Sequence, residues 1–560
     1  MMLNDKTGLG HLTEILIQRG ITELIISPGS RNAPIVTEFC KRPEFNCLTI
    51  VDERSAAFFA LGMAQQLRKP VVIACTSGSA ALNYAPAIAE AYYQQVPLLV
   101  LTADRPAEWI DQGDGQTIRQ KDVYANYIKK SVQLPQSLKY QNDLSYSNRL
   151  ISEALNACVY PTPGPVHINL PFTEPLYGFD SATSVRPKDF TITQATNFLP
   201  KEVLDALINE WNQSGNKLIL AGQMHPNSEL EKQLVQLSEK HDVVVMSETT
   251  SNVSHESFIM HIDRTLSAMS GEKTPYIPDL LITIGGTIVS KRIKAEFRQA
   301  GIKKHWHVDV GALPMDTFQK LSRIIPILST DLFSQMLPML PRQNARFTSL
   351  WHALDAKART NHKKFLQNCA YSDLKILEQV FMHIPPGYDI QLGNSTPVRY
   401  AQLFDFKESF RFDSNRGTSG IDGSLSTAAG AAFASNRPTV MLTGDLGFFY
   451  DSNALWNKHL PSKLKIIIIN NEGGNIFRFI EGPDSTGFMD DYFEARHRTS
   501  AKHIALAYDI DYMEVSDMEG LNKQLTLFFR PSEKAAILEI NSPAEENAKV
   551  LRNYFKVLGQ

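Results

Sequence analysis

The sequence predicts an α/β protein of three domains, each built on a parallel sheet flanked by helices. Short β-rich apolar runs alternate with longer amphipathic stretches along most of the chain. This strand–helix alternation is typical of parallel sheets that helices cover on both faces. The chain has 560 residues, whereas one domain usually holds about 150. A single hydrophobic core is therefore excluded.

The first predicted domain comprises residues 1–185, and a linker is expected over residues 186–195. Its last strand is expected in the proline-containing tract 162–171. The other predicted strands are 24–27, 48–51, 70–74 and 97–101, and the predicted helices are 53–68 and 80–94.

The second and third predicted domains comprise residues 186–345 and 346–560. Strands are expected at 217–222, 242–246, 279–284 and 305–310 in the second domain, and at 439–443 and 465–469 in the third, which opens with a polar helix over 349–368. No short-period repeat is present, so a solenoid is excluded.

Composition excludes several classes of protein. Hydrophobic residues make up 43% and charged residues 21% of the chain, which indicates a folded protein. No apolar run reaches the roughly 18 residues of a membrane span, and no basic segment leads into an apolar leader. Five cysteines without a CxxC pair predict free thiols in a reducing cytoplasm. A net charge of −3 does not favour nucleic-acid binding.

The most specific signal is the triplet Gly444-Asp445-Leu446, which is followed by Asn471 after the 24 intervening residues 447–470. Both pieces come directly after strong predicted strands, and ligands gather at the carboxyl ends of strands in open α/β sheets. Mg²⁺ prefers oxygen ligands and often shares them with phosphates. Two ordinary turns would contain the same residue types. Their pairing favours a metal site with ligands from Asp445, Asn471 and the Gly473 carbonyl.

This pairing resembles the thiamine-diphosphate motif, in which a Gly-Asp-Gly triplet precedes paired asparagines. Leu446 departs from that pattern, whereas the acid and the amide remain. The resemblance implies thiamine diphosphate and Mg²⁺ (or Mn²⁺) as cofactors, with further contacts in the loops 393–395 and 417–423. The cofactor-binding residues that we expect are Gly393, Asn394, Ser395, Gly420, Ile421, Gly444, Asp445, Leu446, Asn471, Gly473, Gly474, Ile476 and Phe477. Within this set, Ile421 would be an apolar wedge that bends the cofactor, and Ile476, Phe477 and Ile480 would form an apolar wall beside it.

Glu53 is the candidate for the acid that activates this cofactor. It follows a predicted strand of the first domain and opens a predicted helix. The cofactor supplies a carbanion at its thiazolium C2, and a carboxyl group at the pyrimidine N1′ stabilises the imino tautomer that removes the C2 proton. An acid at this position is more often present because it complements a helix dipole. The third-domain motif favours the catalytic role.

Further motifs resemble the MenD family of thiamine-diphosphate enzymes. The similarity covers nearly the whole chain but is thin over residues 186–280. The motifs are SPGSRNAP at 27–34, DERSA at 52–56, TSGSA at 76–80, TADRP at 102–106, SKR at 290–292, GNSTPVR at 393–399 and NRGTSGIDG at 415–423.

The resemblance implies a transferase of menaquinone biosynthesis that decarboxylates 2-oxoglutarate and adds the succinyl carbanion equivalent to isochorismate. Both substrates are dianions, and arginine binds carboxylates bidentately. A lone surface arginine in an ion pair contributes at most about 1 kcal/mol, so only a set of several cations favours a dianion site. The substrate-facing residues implied are Ser30, Arg31, Arg105, Gln116, Lys291, Arg292, Ser395 and Arg399, with Arg416 as the sixth cation.

The resemblance also implies a homodimer, or a dimer of dimers, because in this superfamily the cofactor lies between the first domain of one subunit and the third of another. Two other functions stay open at this point. Acetolactate synthase or another small 2-oxo-acid carboligase would share the cofactor motif but needs fewer cations. The second is a non-catalytic protein that binds a diphosphate or nucleotide, with Asp309 as a possible ribose contact. No GxGxxG motif follows an early strand, which argues against NAD binding.

Overall fold

The computed structural model describes residues 5–179, 186–193, 195, 197–406, 410–478 and 482–560. It contains three parallel sheets with flanking helices, which confirms the predicted fold class. All five cysteines are free. None of the helices among the described residues is both long and apolar enough to cross a membrane.

The first sheet has six parallel strands in the order β2-β1-β3-β4-β6-β5, and its central strands are fully buried. The predicted helix over 80–94 is divided in two, because Pro86 lies in the first turn of its second half and has no backbone N–H to donate. The strands are β1 Glu23–Ile26, β2 Asn46–Thr49, β3 Val71–Cys75, β4 Leu98–Asp104, β5 Lys130–Gln133 and β6 Val166–Pro171; the helices are α1 Asp5–Gln18, α2 Ala33–Cys40, α3 Glu53–Leu67, α4 Ser79–Asn83, α5 Ala85–Gln94 and α6 Gln141–Val159.

The central sheet has five parallel strands in the order β11-β10-β9-β7-β8. Its strands are β7 Lys217–Ala221, β8 Val243–Ser247, β9 Leu280–Ile284, β10 Lys304–Val308 and β11 Leu321–Ile325; the helices are α7 Lys201–Gln213, α8 Ser228–His241, α9 Ile262–Ser267, α10 Lys291–Gln299, α11 Ser329–Met336 and α12 Phe347–Gln367.

The third sheet has six parallel strands in the order β13-β12-β14-β15-β17-β16. Its strands are β12 Asp389–Leu392, β13 Arg411–Ser414, β14 Thr439–Gly444, β15 Leu464–Asn470, β16 Asp511–Val515 and β17 Ala536–Asn541; the helices are α13 Asp373–His383, α14 Thr396–Ala401, α15 Ser424–Ala434, α16 Asp445–Tyr450, α17 Lys502–Ala507, α18 Met518–Phe528 and α19 Ala544–Leu558.

Helices α3 and α15 join the first and third domains within one hydrophobic core. Their backbones approach closely at two glycines. A Cβ at Gly62 would lie 1.9 Å from the Thr427 carbonyl oxygen, and one at Gly430 would lie 1.9 Å from the Phe59 carbonyl oxygen. No other residue fits at such a crossing. The contact fixes the N-terminus of α3, which carries Glu53, relative to the third sheet.

The predicted domain boundaries, 185/186 and 345/346, fall between the three sheets and stay predictions. The described residues of the expected linker 186–195 form neither helix nor strand. Asp189 fixes part of this linker to the first domain through an ion pair of 2.5 Å with Arg19. Phe347 and Trp351 of α12 pack in the core of the central domain.

Candidate active site

Asp445 and Asn471 lie at the carboxyl ends of two adjacent strands. Gly444, the last residue of β14, pairs with Ile469 of β15, so the residues that follow the two strands are neighbours. Both side chains are buried. The Asp445 carboxylate accepts the Leu446 N–H at 2.7 Å and the Gly473 N–H at 2.9 Å. The structure therefore brings the two halves of the predicted metal motif together.

The amide of Asn471 has a fixed orientation. Its Nδ2 donates to Asp373 Oδ2 at 3.0 Å, and the other carboxylate oxygen of Asp373 accepts from Ser542 at 2.5 Å and Asn547 at 3.0 Å. Burial raises the pKa of Asp373 to about 6. Since Asp373 occupies the N–H side of the amide, the Oδ1 of Asn471 is the atom left for a cation. Asp373 is 98 positions from Asn471 and has no local sequence signal.

The donor set fits a hard divalent cation. Asp445 offers a carboxylate oxygen, Asn471 an amide oxygen, and Gly473 a carbonyl that accepts one N–H, from Asn475 at 3.0 Å, and has a second lone pair. Gly473 has φ +145°, and a Cβ there would lie 2.7 Å from the Glu494 carbonyl oxygen. Among the described residues there is no cluster of three or more His, Cys, Asp or Glu that could hold a metal, so amide and backbone oxygens are needed, as in Mg²⁺ sites.

His497 is a polar neighbour of this position that the sequence did not indicate. Its Nε2 lies 3.3 Å from Asp445 Oδ2. The adjacent Asp445 carboxylate raises the pKa of His497. The imidazole therefore competes with a cation for the same carboxylate oxygen, and it would have to yield that oxygen to a bound metal.

The predicted diphosphate loops meet at the same edge of the sheet. Asn394 joins them, since its Nδ2 donates to the carbonyls of Asn415 at 2.6 Å and Gly420 at 2.7 Å. Its Oδ1 accepts from Arg416 at 2.9 Å. The side chain of Asn394 is thus used within the protein, and its backbone is what stays available to a ligand. Around it, the remaining loop residues present backbone or small side chains: Gly393, Ser395 (φ +73°), Gly420 and Gly444.

The predicted apolar residues border this edge. Ile421 is half-buried and lies next to Gly447, and Leu446 is half-buried beside Asp445. Ile476 and Phe477 lie in the turn after Gly474 and are also half-buried. Ile480 lies outside the described residues. These positions are compatible with a wall beside a cofactor, which stays a prediction.

Predicted substrate arginines lie around one half-buried acid of the central domain. The guanidiniums of Arg292 and Arg399 both act on the Asp263 carboxyl, whose pKa burial raises against their pull. Burial, and then the neighbouring Arg416, lower the pKa of Arg399. Positive charge is thus concentrated in a partly desolvated place, where a carboxylate ligand would be strongly bound. Lys291 and Arg292 begin α10 with exposed side chains, and Lys294 of the same helix is a further cation that the sequence did not indicate.

The first-domain candidates lie together at the carboxyl ends of β1, β3 and β4. Arg31 is buried, with Nη1 3.2 Å from Glu174 Oε1 and 3.3 Å from the Phe172 carbonyl. Arg105 lies 3.4 Å from Asp114 and donates to the Gly115 carbonyl at 2.9 Å. Both guanidiniums therefore have protein partners that a substrate carboxylate would have to replace or join.

Ser30 and Gln116 complete this first-domain group. Ser30 is exposed beside Arg31. Gln116 has φ +56°, and its Cα would lie 3.2 Å from a Cβ at Gly78. The positive φ turns the exposed Gln116 side chain away from its neighbours along the chain, and a side chain at Gly78 would displace it.

Glu53 is the first residue of α3 and lies over the end of β3. Asp52 caps this helix by accepting the Ser55 N–H at 2.9 Å. The Glu53 carboxylate accepts from Asn83 Nδ2 at 3.3 Å. Burial, and then the charge of Glu53, raise the pKa of the Cys75 thiol. Glu53 is thus a half-buried carboxylate above an apolar floor, where a polar heterocycle could meet it.

Within one chain, Glu53 is held against the third domain at a distance from Asp445. Its neighbours contact the far end of α16: Asp52 accepts from Asn453 at 2.7 Å, and Arg54 donates to the Tyr450 carbonyl at 2.9 Å. Asp445 begins this helix and Tyr450 ends it. In the described part of the chain, no hydrogen bond or ion pair joins the first-domain candidates to the metal motif or to the cluster around Asp263. The candidate residues therefore form two groups in a single chain.

Asp309, the possible ribose contact, directly follows β10. Its carboxylate accepts the Leu313 N–H at 3.3 Å. A ribose contact at Asp309 stays a prediction.

Comparisons with known proteins match each part of the chain to a family of thiamine pyrophosphate enzymes. Residues 6–123, 188–387 and 393–540 match, in turn, the families described as "Thiamine pyrophosphate enzyme, N-terminal TPP binding domain", "Middle domain of thiamine pyrophosphate" and "Thiamine pyrophosphate enzyme, C-terminal TPP binding domain". Thiamine pyrophosphate is the same compound as thiamine diphosphate. The second match extends to residue 387 and so includes α12.

Similar proteins carry one shared name, 2-succinyl-5-enolpyruvyl-6-hydroxy-3-cyclohexene-1-carboxylate synthase. The chain is 42% identical to the protein of this name from Flavobacterium johnsoniae and 43% identical to that from Flavobacterium psychrophilum, with 100% of both chains covered in each case. It is 38% identical to that from Porphyromonas gingivalis, over 99% of this chain and 97% of the relative. The chain therefore belongs to the 2-succinyl-5-enolpyruvyl-6-hydroxy-3-cyclohexene-1-carboxylate synthase (MenD) family of thiamine-diphosphate-dependent enzymes.

Proposed function

We propose that this enzyme decarboxylates 2-oxoglutarate and adds the succinyl group to isochorismate, giving 2-succinyl-5-enolpyruvyl-6-hydroxy-3-cyclohexene-1-carboxylate for menaquinone biosynthesis. The observation that carries the proposal is the direct bond between Asn394, in a predicted diphosphate loop, and Arg416, in the cation cluster. A site for a dianion thus adjoins a site for a diphosphate. The names of the full-length relatives support the product.

The cofactor and metal have specific partners in this proposal. Asp445, Asn471 and the Gly473 carbonyl hold Mg²⁺ (or Mn²⁺), and the loops around Gly393 and Gly420 hold the diphosphate. When bound, thiamine diphosphate supplies a nucleophilic C2 that can add to a 2-oxo acid. Asp373 keeps the Asn471 amide turned with its oxygen toward the cation, as hydrogen-bonded outer residues do in other metal sites.

Glu53 holds a proton at the pyrimidine N1′. Its half-buried place favours this role, because partial burial strengthens a hydrogen bond between a carboxyl group and a ring nitrogen. Near the first-domain loops, Ser30 and Gln116 are neutral side chains beside the cations Arg31 and Arg105. We infer that these two side chains orient the reacting oxygens, while the cations bind carboxylates without exchanging protons.

The enzyme works as at least a homodimer in this proposal. The two groups of candidate residues would then complete each other across a subunit interface. Exposed apolar side chains surround Glu53 and support such an interface: Val51, Leu82, Tyr450 and Trp456, each between 44% and 56% exposed. A cytoplasmic location is part of the proposal, and the five free thiols support it.

The direct test is an assay of the purified enzyme with 2-oxoglutarate, isochorismate, thiamine diphosphate and Mg²⁺, with the product identified by mass. We expect the succinylated cyclohexene carboxylate only when both acids are present. Pyruvate alone is the control for acetolactate chemistry. Rapid turnover of pyruvate without product from the two dianions would refute the proposal.

Replacement of a clustered arginine should weaken dianion binding. Arg399→Ala removes a charged hydrogen-bond donor worth about 1.5–3 kcal/mol, so the KM of one dianionic substrate should rise roughly 10- to 100-fold. Cofactor affinity should change much less, because Arg399 has no bond to Asp445, Asn471 or Gly473 and contacts the diphosphate loop only through the Ser395 carbonyl. Steady-state kinetics with each substrate varied in turn measure the effect.

Arg437→Ala is the matched control for Arg399→Ala. Arg437 pairs with Asp389 at 3.1 Å, at the amino end of β12 and thus at the opposite edge of the same sheet. This variant should keep both KM values. Unaltered kinetics of Arg399→Ala with both acids would remove Arg399 from the binding site.

A further inference from the structure

A buried glutamate of the central domain holds the turn that precedes Lys291 and Arg292. Glu248 follows β8 and is 4% exposed. One of its carboxylate oxygens accepts the Val289 N–H at 2.6 Å, and the other accepts the Ser290 N–H at 2.7 Å. These two short bonds connect Glu248 to residues that lie 41 and 42 positions further along the chain. They fix both N–H groups directly before α10.

The other polar groups of the turn 287–290 are held as well. The Thr287 hydroxyl donates to the Arg416 carbonyl at 3.0 Å, and the Lys294 ammonium donates to the Ile288 carbonyl at 2.6 Å. The Ser290 hydroxyl donates to Asp263, the acid between Arg292 and Arg399. The turn therefore has one position, and Lys291 and Arg292 extend from it.

The residue after Glu248 is bound to the segment that carries Arg399. The Thr249 N–H donates to Gln402 Oε1 at 3.0 Å, and Gln402 Nε2 donates to the Thr249 hydroxyl at 2.5 Å. Gln402 follows α14, the helix of Arg399. Glu248 thus contacts the turn before Lys291 and Arg292, and Thr249 contacts Gln402, which follows the helix of Arg399. The cations concerned come from two different domains.

We propose that Glu248 is a positioning residue, which sets the Lys291–Arg292 pair against Arg399 and Arg416 so that a substrate dianion is bound by all of them. This inference rests on the proposed function. It deepens that function, since it names a group that touches no substrate yet determines the geometry of the substrate cations.

A second buried acid of the central domain, Asp242, makes an equivalent pair of bonds at a helix start that carries no candidate residue. Asp242 accepts the N–H groups of Phe347 and Thr348, each at 2.9 Å, at the start of α12. It is buried like Glu248. The two acids make the same pair of bonds, but only Glu248 precedes substrate cations. A comparison of Glu248→Gln with Asp242→Asn therefore separates positioning from general stability.

We expect Glu248→Gln to raise the KM of one dianionic substrate about tenfold, because an amide has a single acceptor oxygen and leaves one N–H of the turn unpaired. The kcat at saturation and the affinity for thiamine diphosphate with Mg²⁺ should stay close to wild type. Asp242→Asn should lower the Tm by a similar amount and leave both KM values unchanged. Glu248→Asp, which keeps the charge but has a shorter reach, should give a smaller rise in the same KM.

A double-mutant cycle tests the mechanism. If Glu248 acts through the cation pair, Glu248→Gln should add little to the KM once Lys291 and Arg292 are both alanine, and the affected substrate should be the same. Independent, multiplicative effects would overturn the inference, as would an unchanged KM in Glu248→Gln or an equal rise in Asp242→Asn.

The failure of this inference is distinct from the failure of the proposed function. A wild-type enzyme that makes no product from the two dianions refutes the function. A wild-type enzyme that makes the product, with Glu248→Gln indistinguishable from it, refutes only the positioning role. Amide hydrogen exchange at residues 289 and 290 gives a readout without turnover, since the amide that loses its acceptor should exchange faster in Glu248→Gln.

Discussion

Glu53→Gln should fold, bind thiamine diphosphate with Mg²⁺, and lose almost all activity. The amide keeps the size of the side chain and can still accept from Asn83, but it cannot hold a proton at the pyrimidine N1′ as a carboxyl group does. A positioned acid–base group contributes about 10²–10⁴-fold to a rate, so kcat should fall by that factor. Proton–deuteron exchange at C2 of the bound cofactor, followed by NMR, should slow as well.

Glu202→Gln is the control for the alternative role of Glu53, in which the acid only complements a helix N-terminus. Glu202 lies in the first turn of α7 and is exposed, far from the candidate residues. Glu202→Gln should lose only the interaction with the helix dipole, about 0.3–1 kcal/mol of unfolding free energy. If Glu53→Gln exchanges the C2 proton as fast as wild type, the acid is merely structural.

The fold and the metal motif could be predicted because their signals are local. The strands β14 and β15 are buried and mostly apolar, and each is followed directly by a candidate metal ligand. Parallel pairing then places Asp445 and Asn471 side by side without further information. The loops of Ser30 and Arg105 also follow strands, β1 and β4, but only the family resemblance pointed to these two residues.

The residues that orient the site could not be predicted, because their contacts are distant along the chain. Asp373 meets Asn471 across 98 positions, and Glu248 meets Ser290 across 42. Neither acid belongs to a motif, and each would be expected on the surface from its residue type alone. Asp373 is buried by contacts within the third domain and Glu248 by contacts within the central domain, and no local pattern encodes either set. Sequence patterns thus indicated candidate reacting groups but missed the acids that hold their surroundings.

Asp445→Ala should abolish metal-dependent cofactor binding. Loss of an outer residue alone typically costs about 10–100-fold in metal affinity, so the loss of a direct ligand should lower the affinity for thiamine diphosphate with Mg²⁺ by more than about 100-fold. The variant also leaves the Gly473 N–H without its acceptor. Isothermal titration with and without Mg²⁺ measures both effects, and an unchanged affinity would exclude Asp445 as a ligand.

Asp389→Ala is the control for the loss of a buried carboxylate from the same sheet. Asp389 begins β12, at the edge opposite to Asp445, and accepts from Ser435 at 2.9 Å. Its replacement should lower the Tm, because that hydroxyl loses its acceptor. The Mg²⁺-dependent affinity for the cofactor should stay unchanged.

The two inactive variants together should recover activity if the site forms between subunits. In a dimer of one Glu53→Gln chain and one Asp445→Ala chain, one site carries both defects, while the other combines an intact Glu53 with an intact Asp445. Random reassociation of equal amounts should therefore restore about a quarter of the wild-type activity per dimer. If each chain instead completed its own site, the mixture would stay inactive, and the interface around Val51 and Tyr450 would need another explanation. The measurement is turnover after the two variants are unfolded together and refolded, with each variant refolded alone as its reference.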